Sequence, residues 1–197
     1  SRGQRAGGDL IPWLVSQQFQ DNDFAGLSGA RVVRIATNPD YSNMGYGSRA
    51  MQLLTEFYEG KHIDLSENDT AMVEDEEMVR VTDAELEQNT LLTDNVKVRD
   101  IRAMPPLFAR LSERKPAALD YIGVSYGLTQ PLHKFWKRSG FVPVYLRQTA
   151  NDLTGEHTTV MLHTLSSASS DPAWLGAYAK DFHKRFLTLL SYQFRNF

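Results

Sequence analysis

Hydrophobic positions change their spacing several times along the chain, and each change marks an element. Residues 1–8 are small, basic and without period, which reads as a flexible lead-in. Ile11, Trp13, Leu14, Val15 and Phe19 then make a short apolar patch able to pack on a core. Arg31-Val32-Val33-Arg34-Ile35-Ala36 is a β-branched run and predicts a strand. It ends at Asn38-Pro39-Asp40, where proline fixes φ and the Asn and Asp side chains favour local backbone bonds. Between Ser48 and Glu59, Met51, Leu53, Leu54, Phe57 and Tyr58 recur at three and four, which predicts an amphipathic helix stopped by Gly60.

The pattern then lapses. Residues 62–100 are acidic and weakly periodic, with one helical stretch near Asp83–Gln88, and are expected to form a solvated, partly disordered insert. An acidic docking site for a basic partner is the other reading. Order restarts at Pro105-Pro106, followed by one or two helical turns around Leu107, Phe108 and Leu111. Leu119–Tyr126 predicts a second strand. Thr129 suits a helix N-cap, with Pro131 in the first turn where its missing N–H is not needed. That helix runs through Leu132, Phe135 and Trp136 to Gly140. Phe141–Arg147 and Thr158–Thr164 alternate as two further strands joined by a polar loop. After a Ser-rich break at 166–170, Trp174, Tyr178, Phe182, Phe186 and Leu190 recur at four and predict a last amphipathic helix. Its stripe is expected to face a core, or else a partner. Lys180, His183, Lys184 and Arg185 lie toward its other side, as a solvated basic face or as contacts for RNA phosphates.

The elements in order predict a mixed α/β (α+β) layer with helices on a mixed sheet. A doubly wound dinucleotide fold does not fit, because the paired strands 141–147 and 158–164 follow the helices. Composition adds limits. The 197 residues suit one domain with an appendage. No apolar run approaches the roughly 18–20 residues of a membrane span, and no signal-peptide pattern opens the sequence. With no cysteine, disulfides, Cys-ligated zinc and thiol nucleophiles are all excluded, and no metal site is expected. The formal charge of −3 hides an asymmetry: residues 62–100 hold twelve acidic and three basic side chains, and the remainder is net positive. Such a basic body points toward an anionic partner.

The sharpest local feature is Tyr41-Ser42-Asn43-Met44-Gly45-Tyr46-Gly47-Ser48, between the first strand and its helix. Two glycines allow a tight turn and a close ligand approach, and the helix start offers free N–H groups to a phosphate. A G-x-G turn alone serves a purely structural role equally well. The sequence contains no G-x-x-x-x-G-K-[ST] phosphate loop. G-x-G-x-x-G fails too, since Ala50 stands at its last position and no acidic partner follows on a next strand, which argues against a nicotinamide enzyme.

Arg34-Ile35-Ala36-Thr37-Asn38-Pro39-Asp40-Tyr41-Ser42-Asn43-Met44-Gly45-Tyr46-Gly47 resembles the acetyl-CoA segment of the GNAT acetyltransferase superfamily, and Phe135-Trp136-Lys137-Arg138-Ser139-Gly140-Phe141 resembles its later helix. Longer blocks, Leu119–Thr129, Phe141–Thr149, Asn151–His157, Gly8–Trp13 and Leu190–Phe194, resemble the eukaryotic RNA cytidine acetyltransferases. The resemblance covers most of the chain outside the acidic insert. It implies a GNAT-like domain over 1–165, with the strands before Arg31 truncated, and a linker and C-terminal helix over 166–197. It also implies N4-acetylcytidine formation in small-subunit rRNA and tRNA from acetyl-CoA, with ATP used in a module outside this chain. A homodimer, a pre-ribosomal particle with guide or adaptor factors, and a nucleolar setting follow from the same likeness.

Placed on residues, the resemblance has Ile35, Ala36 and Thr37 pairing their backbone with the pantetheine arm. Ser42, Asn43, Met44, Gly45, Tyr46, Gly47 and Ser48 hold the pyrophosphate, and Arg138 contacts the cofactor. Two positions depart from the superfamily pattern. Ser42 stands where Gln or Arg is preferred, and Trp136 stands where many members carry the Tyr that protonates the leaving thiolate. Without a cysteine, transfer to the cytidine amine must be direct. Tyr126 and His157, at strand ends, are the candidates for proton transfer. The alternatives are a core tyrosine and an ordinary loop histidine. Lys134, Lys137 and Arg138 with Trp136 make a basic–aromatic cluster suited to RNA. A protein N-acetyltransferase and a scaffold domain are the rival functions.

Overall fold

The computed structural model of the chain describes residues 9–63, 108, 111–166, 171, 173–192 and 194–195. The lead-in, most of the acidic stretch with its expected helix near 83–88, the Pro105-Pro106 pair and residues 167–170 lie outside the described residues. The chain divides into two compact units, residues 1–62 with 115–197 and residues 63–114. In the second, the structure describes a single 3-10 turn, Leu111–Glu113. The sheet and its helices belong to the first.

The described residues hold four strands and four α-helices. Helix α1 spans Leu10–Phe19 and realises the first apolar patch. Strand β1 is Gly29–Val32, and α2 is Tyr46–Tyr58. After residues 63–114 come β2 (Tyr121–Gly127), α3 (Gln130–Arg138), β3 (Val142–Leu146), β4 (Thr158–Thr164) and α4 (Ala173–Leu190). The sheet order is β1-β2-β4-β3. β1 and β2 are parallel and the other pairs antiparallel, so the sheet is mixed, as expected.

The two central strands are apolar on both faces, and the pleat sorts their side chains between two layers. Tyr121, Val160 and Leu162 face α1 and α4, where they pack with Ile11, Val15, Phe24, Leu175 and Tyr178. Ile122, Val124 and Met161 face α2 and α3, where they pack with Met51, Trp136 and Phe141. Helix α4 docks through its first half: Tyr178 donates its hydroxyl hydrogen bond to Asp21, and its ring stacks on Phe19 at 4.3 Å. That bond holds Asp21 below the ordinary carboxylate range. Burial, then the bond to Asp21, pushes the Tyr178 phenol up.

β1 is shorter than its β-branched run, and the reason lies in its partner. Pairing with β2 starts at Gly29↔Tyr121 and stops at Val32↔Val124. β2 continues to Gly127 against β4. Past Val32 the run leaves the sheet, with Val33 75% exposed and Ile35 37% exposed. Strand propensity describes fit to a pleated, half-buried surface, and this segment has none beneath it. At the other end the two strands are clamped. Asp120 is buried, its carboxylate accepts the Ser28 N–H at 2.8 Å, and its own N–H donates to the Ser28 carbonyl at 2.7 Å. β1 and β2 are therefore joined at one end and part at the other.

The far end of α2 is fixed through Glu59. Its carboxylate meets Lys61 at 2.6 Å and accepts both the hydroxyl (2.6 Å) and the N–H (3.1 Å) of Ser166, just past β4. Lys61 first, then Ser166, pulls the Glu59 carboxyl down to about 2 from the ordinary 4.5. At the opposite edge, β3 carries a register irregularity between Pro143 and Tyr145.

Two predictions test this frame. A Cβ at Gly29 would fall 2.1 Å from the Tyr121 ring. Gly29→Ala should therefore cost about 1–3 kcal/mol in urea unfolding, the usual range for overpacking. A carboxyl depressed in the folded state stabilises it above the unfolded pKa, and that contribution is lost as pH falls through the folded value. The Glu59 contribution should accordingly be full above pH 4.5 and disappear toward pH 2. Glu59→Gln should flatten that part of the stability–pH curve. An unchanged acid limb would show that Glu59 contributes nothing there.

Candidate functional site

The turn between β1 and α2 is built from its own polar groups. Asn38 Oδ1 accepts the Asp40 N–H at 3.1 Å, and the Ser42 hydroxyl donates to the Pro39 carbonyl at 2.7 Å. Asn43 and Gly45 both adopt left-handed backbone, at φ 63 and φ 86. Gly45 is the N-cap of α2 and supplies no capping side chain. The first helical bond runs from Arg49 N–H to the Gly45 carbonyl at 2.9 Å. The N–H groups of Tyr46, Gly47 and Ser48 thus stand at the helix mouth without intrahelical partners. No acidic residue sits in this first turn to quench the positive end of the dipole.

An anion is the chemical complement of such an end. A Cβ at Gly47 would lie 3.4 Å from the Phe135 ring on α3, an ordinary van der Waals contact. The two glycines therefore differ: Gly45 serves backbone conformation, whereas the packing of α2 on α3 leaves room for a Cβ at Gly47. Ser48 and the exposed Arg138, at the end of α3, line one groove of about 470 Å³ with Gln52, Thr55 and Glu59. Ile35, Ala36 and Thr37 lie in the exposed segment that has left the sheet. Beside them, β2 pairs with β1 only as far as Val124, so among the described residues the β1 side of Ser125–Gly127 carries no ladder. The residues expected to meet the pantetheine arm (Ile35–Thr37) and the pyrophosphate (Ser42–Ser48) thus follow one another, from the parted strand through the turn to the helix mouth.

The proton-transfer candidates fall in different surroundings. Tyr126 packs with the α2–α3 layer, its ring 6.1 Å from Trp136, and its hydroxyl donates to the Met161 sulfur at 3.0 Å. Burial pushes its phenol up to about 12. It holds its proton at neutral pH and can donate, not accept. His157 sits with Nδ1 2.9 Å from the Arg147 carbonyl, so that nitrogen carries the hydrogen, and its ring meets Phe194 edge-on at 4.8 Å. The structure does not bring the two side chains into one cluster. Trp136 is 2% exposed and wedged between Phe135 and Phe141. It is a core residue, which removes the aromatic member from the Lys134, Lys137 and Arg138 cluster.

One group went unnoticed in the sequence. A Cβ on Gly127 would fall 2.1 Å from Glu156 Oε2, so the Glu156 carboxylate lies directly over the end of β2. Only the hairpin's return path shows this, although a glycine ending a strand is a hint of close approach. Among the described residues, no three His, Asp or Glu side chains gather as metal ligands. In a spectrophotometric titration, Tyr126→Phe should remove one tyrosine ionising near 12. Loss of absorbance change well below pH 12 instead would contradict the buried placement.

Comparison with known proteins gives two matches in this chain. Residues 1–166 match the family described as GNAT acetyltransferase 2, and residues 174–197 match one described as a possible tRNA binding domain. The chain is 64% identical over 197 residues to an RNA cytidine acetyltransferase of Saccharomyces cerevisiae, covering 100% of the chain and 18% of that relative. The Schizosaccharomyces pombe protein of the same name is 60% identical over 197 residues, with 100% of the chain and 19% of the relative covered. The human one is 55% identical over 199 residues, again 100% and 19%. The chain therefore spans about a fifth of the length of these relatives.

Proposed function

The chain belongs to the GNAT acetyltransferase 2 family, and from that premise we propose that it is the acetyl-transfer part of an RNA cytidine acetyltransferase. The observation that carries the reading is the parting of β1 from β2 beside an uncapped helix start free of acidic side chains. The names of the similar proteins and the match of residues 174–197 support RNA as the acceptor. Within this proposal the substrates are cytidines of small-subunit rRNA and tRNA. ATP hydrolysis then belongs to another part of the longer protein, which works as a nucleolar homodimer with pre-ribosomal partners.

Acetyl-CoA, when bound, supplies the acetyl group as a thioester. The chain's own residues offer it groups of complementary chemistry. Tyr46, Gly47 and Ser48 offer N–H donors for the pyrophosphate, in a turn shaped by Ser42, Asn43, Met44 and Gly45. Arg138 adds a positive charge along the adjoining groove. The backbone of Ile35, Ala36 and Thr37, free of the sheet, can pair with an extended amide-bearing arm as an added strand does. An N–H of this segment can also face the oxygen that gains charge during transfer.

Proton traffic is assigned to residues near the end of β2. The cytidine N4 loses a proton as its bond to the acetyl carbon forms, and Glu156 is the basic oxygen placed to take it. Tyr126 is assigned as donor to the leaving sulfur, a role in which its hydroxyl must turn from the Met161 sulfur. His157 positions the loop bearing Glu156 through its bond to the Arg147 carbonyl.

Incubating the full-length protein with labelled acetyl-CoA and RNA should place label on cytidine. Label on protein alone would overturn the reading. Gly47→Glu should weaken acetyl-CoA binding by at least about tenfold, because it sets a like charge beside the pyrophosphate. Glu156→Gln should slow transfer by about tenfold or more at unchanged acetyl-CoA affinity, within the range expected for a general base.

A further inference from the structure

A second feature lies away from the parted strands, along the free edge of β3. Two grooves meet there. The larger, about 760 Å³, runs between α3 and α4 and is lined by His133, Lys137, Pro143, Leu146, Phe182 and His183 among others. The smaller, about 310 Å³, continues past Leu146 to Arg147 and Arg185. Phe182 and Phe186 line both, so the grooves share one wall.

That wall has the right chemistry for a nucleobase. The Phe182 and Phe186 rings lie 5.8 Å apart at 16°, near parallel and only half-buried. The α4 stripe therefore divides: Leu175 and Tyr178 enter the core, whereas the two phenylalanines one and two turns later line open space. Cations flank them on both sides. Lys137 and His183 are exposed on the larger groove, and Arg147 is exposed on the smaller. Arg185 is partly engaged, with Nη2 2.7 Å from Asp181 and its guanidinium 4.9 Å from the Phe19 ring centre. Among the described residues no carboxylate lines either groove.

We propose that this double groove seats a single-stranded stretch of the RNA substrate, with a base against Phe182 and Phe186 and phosphates at Lys137, His183 and Arg147. The inference rests on the RNA reading above and names a surface for it. Basic side chains spaced around a stacking platform, with no carboxylate in the lining, are the pattern by which single strands are held irrespective of sequence. A duplex would offer its phosphates but not its stacked bases to such a wall.

The test uses fluorescence anisotropy of the full-length protein with an unstructured, mixed-sequence RNA oligonucleotide over a range of salt. Lys137→Glu, on the exposed face of α3, should weaken binding about tenfold and lower the salt slope by roughly 0.7 for each phosphate no longer neutralised. Phe182→Ala should weaken binding by a similar factor with the slope unchanged, because stacking releases no counterions. Acetyl-CoA affinity should stay as in the parent for both. Cytidine acetylation by the parent with RNA affinity of both variants within twofold would sink the groove alone. A parent that binds no RNA would sink the substrate reading and the groove together. Variants that change the sedimenting mass and leave RNA affinity intact would make this face a contact between copies, and the proposal would be wrong.

Discussion

The fold turns on how β1 and β2 meet. Parallel strands cannot be joined by a short turn and need a long crossover, here α2 and the residues that follow it. Such a pair is free to part at either end unless something holds it. Asp120 holds one end, its buried carboxylate and N–H gripping Ser28. The opposite end has no such clamp among the described residues, and pairing stops after four residues. A buried carboxylate is costly unless its oxygens are satisfied, so it makes a stiff fastening where it is satisfied. The open end and the fastened end are two aspects of one arrangement, and the turn into α2 starts from the open one.

The helices are divided accordingly. α1 and α4 close one face through a mainly aromatic core, in which Phe24 contacts the rings of Tyr121, Trp174 and Tyr178. α2 and α3 close the other, where Trp136 fills the space between Tyr126, Phe135 and Phe141. The helix mouth of α2 is held from two directions, by Phe135 against Gly47 at its start and by Glu59 on Ser166 at its end. A ligand arriving there meets groups already oriented, which limits the ordering cost of binding.

Much of this was legible from the sequence because period and punctuation are local. The helix over Met51 to Tyr58, the start of α3 after Thr129 (whose side chain makes no capping bond) and the strand pair around Phe141 and Thr158 follow from spacing and turn residues alone. What was not legible depends on partners far along the chain. Val33 and Ile35 look like strand residues, yet β2 has already parted from them. Trp136 looks available beside three cations, yet Phe141 and Tyr126 enclose it. Glu156 looks like one more polar loop residue until the hairpin folds it over Gly127. Tyr126 reads as a proton-transfer candidate or a core tyrosine, and only the Met161 sulfur and its burial show that its proton is firmly held.

The irregularity in β3 has a consequence of another kind. β3 is an outer strand, and a regular outer strand presents a row of unpaired amides that a neighbouring molecule can zip onto. Pro143 removes one of those donors, and the shifted register between Pro143 and Tyr145 breaks the even spacing of the rest. An incoming extended chain would find no continuous ladder along this border. The edge is thereby kept from templating sheet growth between molecules at high concentration, and the surface beside it stays accessible to partners that bind by side-chain contact.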